Sequence, residues 1–273
     1  MPAMIKKLSA NSQGKDYVVG DLHGCFSMLE RLLQHVYFEP TRDRVFSVGD
    51  LIDRGPDSLR CLQLLAEPWF YAVQGNHEVM MLKFFQDYLT HGVLEDLVDH
   101  HQTGFLRYGG AWIEAYFRID QQCMTDKFNH GLDLVSQLPL MLVVGNGPDR
   151  FHIVHAELVS FNELDAELTI WLDDDIDRWL TLGKIPESVT ECLLWGRSLM
   201  MRHYGQLSHI QAQTGLSPVF CGHSYAPEPR QVLSHVCVDT GAFKSFESAD
   251  AHYNLTLFDI KDAIGYSATY EKG

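Results

Sequence analysis

The stretch Tyr17-Val18-Val19-Gly20-Asp21-Leu22-His23-Gly24 decides the fold. Three strand-forming residues run into a turn that carries a carboxylate and an imidazole. Beyond the turn, Ser27 and Glu30 have capping-box spacing, and Met28, Leu29, Leu32, Leu33 and Val36 share one helical stripe. The pattern recurs twice. Val45-Phe46-Ser47-Val48 ends in Gly49-Asp50, and Pro56 offers a helix start ahead of Leu59, Leu62 and Leu65. Trp69 to Val73 ends in Gly75-Asn76-His77-Glu78, with an apolar helical pattern from Val79 to Leu89. Three strand–turn–helix units predict βαβ connections and a largely parallel sheet. In such sheets ligand-binding groups gather beyond the carboxyl ends of the strands, where all three polar turns fall.

Further along, Tyr88 to Leu138 reads as mainly helix and loop, and Phe151 to His155 as another strand. Strands return at Val219 to Cys221, Val232 to Val238 and Leu255 to Phe258, and are expected to build a second sheet packed on the first. Residues 157 to 191 are acidic, most densely at Asp173-Asp174-Asp175-Ile176-Asp177. Such a run reads as a solvated helix face or loop. With no repeat or Gly/Ser linker, residues 1–273 are expected to form a single α/β domain.

Composition is that of an ordinary globular protein, 46% hydrophobic and 21% charged. A formal charge of −15 argues against binding nucleic acid or an anionic membrane, both of which need a positive surface. No apolar run approaches bilayer length and no apolar stretch follows Met1 to Lys7, so the expected location is cytoplasmic. The six cysteines, at 25, 61, 123, 192, 221 and 237, stand singly and read as reduced, and small apolar filler suits at least Cys221 and Cys237 in their strand-like contexts.

The chemistry lies in residues that are individually unremarkable. Asp21, His23, Asp50, Asn76, His155 and His223 together make a mixed oxygen and nitrogen ligand set, suited to Mn²⁺, Fe or Zn²⁺ and not to a thiolate site. Asp21 and His23 are expected to hold one ion, Asn76, His155 and His223 a second, with Asp50 bridging. Two ions ~3.5–4 Å apart activate a water between them for direct attack on a phosphoryl group that they clamp. A leaving alkoxide then needs a proton, which His77 can give with Asp53 orienting its ring. Arg54 supplies a fork of donors for phosphoryl oxygens, and Arg197, in Leu194-Trp195-Gly196-Arg197, is the candidate second arginine.

Gly20-Asp21-Leu22-His23-Gly24, Gly49-Asp50-Leu51-Ile52-Asp53-Arg54-Gly55 and Gly75-Asn76-His77-Glu78 resemble the three signature blocks of the phosphoprotein phosphatase family of metallophosphoesterases. His155-Ala156, Gly222-His223 and Asp239-Thr240-Gly241-Ala242 resemble its later segments, and the likeness is strongest to the phosphatases of bacteria and of bacteriophage lambda. Tyr108-Gly109-Gly110-Ala111-Trp112 belongs to that likeness too, which covers nearly the whole chain. It implies the calcineurin-like fold, a four-layer αββα sandwich with two mixed sheets, and two divalent ions, usually Mn²⁺. It also implies phosphatase activity on phosphoserine or phosphothreonine (sometimes phosphotyrosine) in a phosphoprotein or phosphopeptide. Gln74 stands where many relatives have Arg, and Ala156-Glu157 where many have Ala-Gly or Ala-Asp; both bear on substrate preference more than on chemistry. The rival substrate is diadenosine tetraphosphate, cut symmetrically on the same fold, although that family resembles the chain less at Asp53 and Glu78. A non-catalytic metal-binding module is a further alternative, disfavoured because no site residue is missing.

Overall fold

A computed structural model of the chain describes residues 4–91, 104–118, 123–162, 167–248 and 252–271. One sheet has the order β15 (Ile264–Ala268), β14 (Leu255–Asp259), β2 (Asp16–Val19), β3 (Arg44–Ser47) and β4 (Phe70–Ala72). As expected, β2, β3 and β4 run parallel. The second sheet has the order β1 (Ile5–Leu8), β7 (Met141–Val144), β8 (Phe151–Val154), β11 (Val219–Cys221), β13 (His235–Cys237) and β12 (Arg230–Val232). Two short hairpins, β5 (Phe117–Arg118) with β6 (Cys123–Met124) and β9 (Val159–Asn162) with β10 (Glu167–Ile170), lie outside these sheets.

The alternation of side chains along the strands builds the layers. Val18, Phe46, Val48 and Val73 from the first sheet meet Leu142, Val144, Ile153 and Phe220 from the second in one buried cluster. Their neighbours Tyr17, Val19 and Val45 point the other way, onto α1 (Phe26–His35), α2 (Ser58–Gln63), α3 (Asn76–His91) and α4 (Asp126–Ser136). Met141, Val143 and Val154 likewise face α5 (Asp173–Leu182) and α6 (Glu187–Trp195). The result is helix, sheet, sheet, helix, with both sheets mixed. Each fully buried Val, Leu or Phe in these layers contributes roughly 1.5–3 kcal/mol.

Four local expectations are corrected. Ser27 does not cap α1: the helix starts at Phe26 with Cys25 at its N-cap and no side-chain cap, because the preceding turn fixes the chain's entry. The third helix starts at Asn76, not Val79, so the polar block forms its first turn; side chains beyond residue 86 of this helix lie outside the described residues. Val232 to Val238 is not one strand but the hairpin β12–β13, broken at Leu233 (φ 47°) and Ser234 (φ 65°). Leu255 to Phe258 does not join the second sheet; β14 pairs antiparallel with β2 and makes the first sheet mixed. The stretch expected to be helix and loop, 88 to 138, contains α4, two 3-10 turns and the β5–β6 hairpin, with 92–103 and 119–122 outside the described residues.

After α6, a π-helical turn (Ser198–His203) leads into the short α7 (Tyr204–Leu207), and α8 (Ala242–Ser248) follows β13. No described helix is long and apolar enough to cross a membrane. Cys25, Cys61, Cys192, Cys221 and Cys237 are free thiols; the Cys123 side chain lies outside the described residues.

The acidic run opens α5 and works structurally. Asp173 accepts from His152 Nε2 at 2.8 Å and from Ser217 Oγ at 2.6 Å, joining α5 to the amino ends of β8 and β11. Burial opposes its ionisation, but the bonds from His152 and Ser217 outweigh it and hold the carboxyl at about 2, below the usual carboxylate range. A depressed carboxylate stabilises the fold above its unfolded pKa, and the contribution disappears as pH falls through the folded value. Asp173→Asn should therefore lower stability by about 2 kcal/mol at neutral pH. Urea titrations of the two proteins should converge as pH falls from the unfolded pKa toward about 2.

Candidate active site

Beyond the carboxyl ends of β2, β3 and β11 the chain is bent into left-handed backbone at residues that carry functional groups. His23 (φ 41°), Asp50 (φ 49°), Asp53 (φ 75°), Arg54 (φ 70°) and His223 (φ 66°) all adopt it. Conformations of this kind cost of order 1 kcal/mol or more per residue and persist only where surroundings over-determine them. Here the surroundings are hydrogen bonds. His23 N–H donates to Asp50 O at 2.8 Å, Asp53 N–H to Ser58 Oγ at 2.9 Å, and Gly55 N–H to His23 O at 2.9 Å.

Glu78 does most of this bracing. Its fully buried carboxylate accepts the N–H groups of Asp50 at 2.9 Å, Leu51 at 2.8 Å and Gly75 at 2.8 Å. One side chain on the first turn of α3 thereby holds two of the three polar turns. Burial, with Asp50 adding to it, pushes the Glu78 carboxyl up to about 7. Gly75 is required by the same packing, since a Cβ there would collide with Asp50 Oδ1. The resemblance included Glu78, but its bracing role is invisible without the positions of the N–H groups.

Asp50 is the centre. Its carboxylate lies 3.6 Å from His23 Nε2, 3.5 Å from His155 Nε2 and 3.9 Å from His77 Nε2, and accepts His77 N–H at 3.1 Å. Burial opposes its charge, yet the surrounding imidazoles, His155 foremost, hold the carboxyl far below the usual range. Two groups of ligand atoms lie within 4.8 Å of one another: His23, Asp50 and His77, and Asp50, His155 and His223. Asp50 belongs to both.

The tautomers follow from the backbone. His23 Nδ1 donates to Ile52 O at 2.9 Å and His155 Nδ1 to Val48 O at 2.8 Å. Burial keeps both rings below the ordinary imidazole pKa, so each neutral ring turns an Nε2 lone pair into the site. His155 Nε2 then meets Asn76 Oδ1 at 2.9 Å, acceptor to acceptor, a contact that a shared cation makes favourable. His223 Nδ1 is 3.1 Å from the same nitrogen, and its buried Nε2 has no hydrogen-bond partner among the described residues. Burial and then His155 depress the His223 pKa to about 2. This donor set fits divalent metal.

Asp21 lines the same cleft as the two ligand groups. It accepts His223 N–H at 3.1 Å and lies against Asp239, a cleft residue that sequence reasoning assigned no role. Burial, then each other's charge and that of Asp50, raises the Asp21 carboxyl; burial and Asp50 bring Asp239 to about 6. Nearby cations would relieve this crowding of carboxylates.

His77 Nδ1 contacts Asp53 Oδ2 at 2.6 Å, and Trp112 Nε1 donates to Asp53 Oδ1 at 2.7 Å. Burial lowers the His77 pKa, but Asp50 and Asp53 outweigh it and hold the ring above its ordinary value. Trp112 was legible only as part of a resembling segment, because its partner is 59 residues away. Arg54 donates from Nη1 to His23 Nε2 and from Nη2 to His77 Nε2, each at 3.0 Å, with its guanidinium 4.2 Å over the Phe243 ring. Gly109 (φ 115°) packs on the Arg54 backbone, where a Cβ would sit 2.7 Å from Arg54 N. Arg197 Nη1 donates to His223 O at 2.7 Å.

Eight of the ten residues singled out from sequence line a cleft of about 250 Å³; His155 and Asp53 lie beneath it. Phe243 and Lys244 of α8 and Tyr225 complete the walls. A larger open groove of about 910 Å³ lies at the amino ends of the strands beside Lys15 and Arg150, and holds none of the polar turns.

Residues 17–227 match the calcineurin-like phosphoesterase family model, and the chain belongs to that family. A "Serine/threonine-protein phosphatase 2" of Salmonella typhimurium is 30% identical over 248 residues, 90% of this chain and 92% of its own length. A symmetrical bis(5'-nucleosyl)-tetraphosphatase of Actinobacillus succinogenes is 47% identical over 142 residues, 51% of this chain and 43% of its own length. A solved serine/threonine phosphatase of Saccharomyces cerevisiae superposes with a TM-score of 0.57 at 16% identity, over all of this chain and 85% of its own. The class is therefore a metal-dependent phosphoesterase, on the fold that the motifs implied.

Glu78→Gln keeps volume but puts an amide among three backbone donors. It should lower stability by about 2 kcal/mol in urea unfolding, and an unchanged midpoint would mean the carboxylate braces nothing.

Proposed function

We propose that this phosphoesterase removes phosphate from phosphoproteins, with phosphoserine or phosphothreonine as the main substrate. The observation that carries the reading is the buried pair of Asp53 and His77, closed by Trp112. A serine alkoxide is a poor leaving group and needs a proton in the transition state. A nucleoside diphosphate leaving from a dinucleotide tetraphosphate needs one far less. A ring oriented through Nδ1, with Nε2 toward the cleft and its pKa raised, suits the first reaction. The Salmonella relative, similar end to end, supports the same reading. The Actinobacillus match keeps symmetrical cleavage of diadenosine tetraphosphate as the second reading.

The metal-holding residues are Asp21, His23, Asp50, Asn76, His155 and His223, with Asp50 shared, and Mn²⁺ is the proposed ion because the donors are mixed nitrogen and oxygen; Fe and Zn²⁺ suit them too. When bound, such a pair acidifies water and neutralises phosphoryl charge. The protein's own groups do the rest. Arg54 releases His23 Nε2 when that nitrogen is needed as a ligand, and its fork becomes available to phosphoryl oxygens. Arg197 offers a second guanidinium. Once Arg54 also leaves His77 Nε2, that nitrogen carries the proton for the leaving oxygen, and Asp53 holds the ring and its positive charge. Phe243 keeps Arg54 flat against the wall. The proposed location is the cytoplasm.

The test loads the protein with Mn²⁺ and follows phosphate release from a phosphoserine peptide, a phosphotyrosine peptide and diadenosine tetraphosphate, with a chelator control. Chelator-sensitive release, fastest from phosphoserine, is expected. Preferential cleavage of the dinucleotide would keep the chemistry and replace the substrate.

His77→Asn should cut turnover of the phosphoserine peptide by roughly 10²–10⁴-fold. A nitrophenyl ester, whose leaving group needs little protonation, should suffer much less. Equal losses on both substrates would remove His77 from the acid role.

A further inference from the structure

Glu157 lies two residues past His155, where β8 ends, and is only 1% exposed. The resemblance marked it as a departure from the family pattern, without a role. Its carboxylate accepts the backbone N–H of Leu199 at 2.9 Å and of Met200 at 2.8 Å. Its own N–H donates to Cys192 O at 3.2 Å, and Ala156 N–H to Leu193 O at 2.8 Å. The turn after β8 is thus stitched to the end of α6 on one side and to the π-helical turn on the other. Arg197 stands between those two anchors. Gly196, just before it, tolerates no side chain: a Cβ would lie 2.6 Å from Cys192 O and 3.1 Å from Glu157 Cβ.

Burial disfavours the Glu157 carboxylate, with only the backbone N–H groups and then the Arg197 charge opposing it, and an apolar side chain of similar volume would pack better. What a carboxylate does, and an apolar group does not, is satisfy two adjacent N–H groups at the start of a helical turn and fix where that turn begins. The guanidinium of Arg197 reaches His223 O and Ser224 Oγ from this fixed base and lines the cleft. A donor displaced by about 1 Å loses most of its effect on a reacting group. We infer that Glu157 is the positioning residue for Arg197, setting the reach of that guanidinium into the cleft by holding the backbone immediately after it. The inference rests on the proposed role of Arg197 as a phosphoryl-binding group. It also couples two parts of the site, because the loop that follows the ligand His155 determines where the arginine stands.

A double-mutant cycle tests this, with Mn²⁺-loaded wild type, Glu157→Gln, Arg197→Ala and the double variant assayed for kcat/KM on a phosphoserine peptide. Inhibition by inorganic phosphate is read in parallel, as a measure of binding alone. Arg197→Ala should lose roughly 100-fold in kcat/KM, and Glu157→Gln about tenfold, with the double variant within about twofold of Arg197→Ala. Phosphate inhibition should weaken in both single variants. Losses that multiply in the double variant would overturn the inference and leave Glu157 as a structural residue acting independently of the arginine. Wild-type kinetics in Glu157→Gln would overturn it as well. A silent Arg197→Ala is a different failure: it removes the phosphate role of the arginine, and with it anything for Glu157 to position. Should Glu157→Gln not fold, Glu157→Asp, which keeps the charge and withdraws the oxygens by one methylene, enters the same cycle under the same criteria.

Discussion

A buried, ionised carboxylate in a left-handed turn, Asp50, is the constraint on which this site depends. It is only 2% exposed at the floor of the cleft, so its charge must be compensated by what is brought near it. Three imidazoles, His23, His77 and His155, come within 4 Å, each from a different segment of chain. Glu78, itself buried, holds the Asp50 backbone from below. Two carboxylates so close would repel in isolation. They coexist because Glu78 accepts three backbone N–H groups with its carboxyl pushed up to about 7, while Asp50 accepts the His77 N–H and faces the His77 ring, whose pKa is held above its ordinary value. Divalent cations, which the metallophosphoesterase family to which the chain belongs implies, would complete that arrangement.

The sandwich exists in the form that lets those segments meet. Strands β2, β3 and β4 end together because they are parallel and in register, which puts the first three polar turns along one edge. The second sheet brings His155 and His223 to the same edge through β8 and β11, which are parallel neighbours. Between the sheets the apolar layer of Val18, Phe46, Val48, Leu142 and Ile153 fixes their separation. Phe46, stacked on Tyr71 and edge-on to Phe151, is a rigid spacer within it. Packing energy that has nothing to do with phosphate therefore sets the distances between the candidate ligand atoms.

Around the ligands runs a shell of residues that touch no substrate in any proposed step. Trp112 fixes Asp53, which fixes His77; Phe243 supports Arg54; Ile52 and Val48 carbonyls orient His23 and His155. These contacts decide tautomer and direction, so that lone pairs face inward and N–H groups face the backbone.

The three polar blocks, their order and the strand–turn–helix rhythm are local facts, and from them the sequence determined an α/β class and seven of the ten residues named; His155, Arg197 and His223 came from later segments, and the layered sandwich from the family resemblance. Local chemistry is enough there because turn residues, apolar alternation and donor identity do not depend on distant partners. Other features needed the folded chain. The capping box at Ser27 was overridden because the turn at His23 and Gly24 fixes the helix entry. The β12–β13 hairpin and the return of β14 to the first sheet depend on which edge is open, and no window of sequence states that. The contacts of Asp21 with Asp239 and with the His223 backbone, 202 residues along, lie outside any window around the first polar turn. Glu78, Trp112 and Glu157 owe their roles to backbone groups and side chains far away in the chain, because only tertiary structure decides which buried polar atom satisfies which.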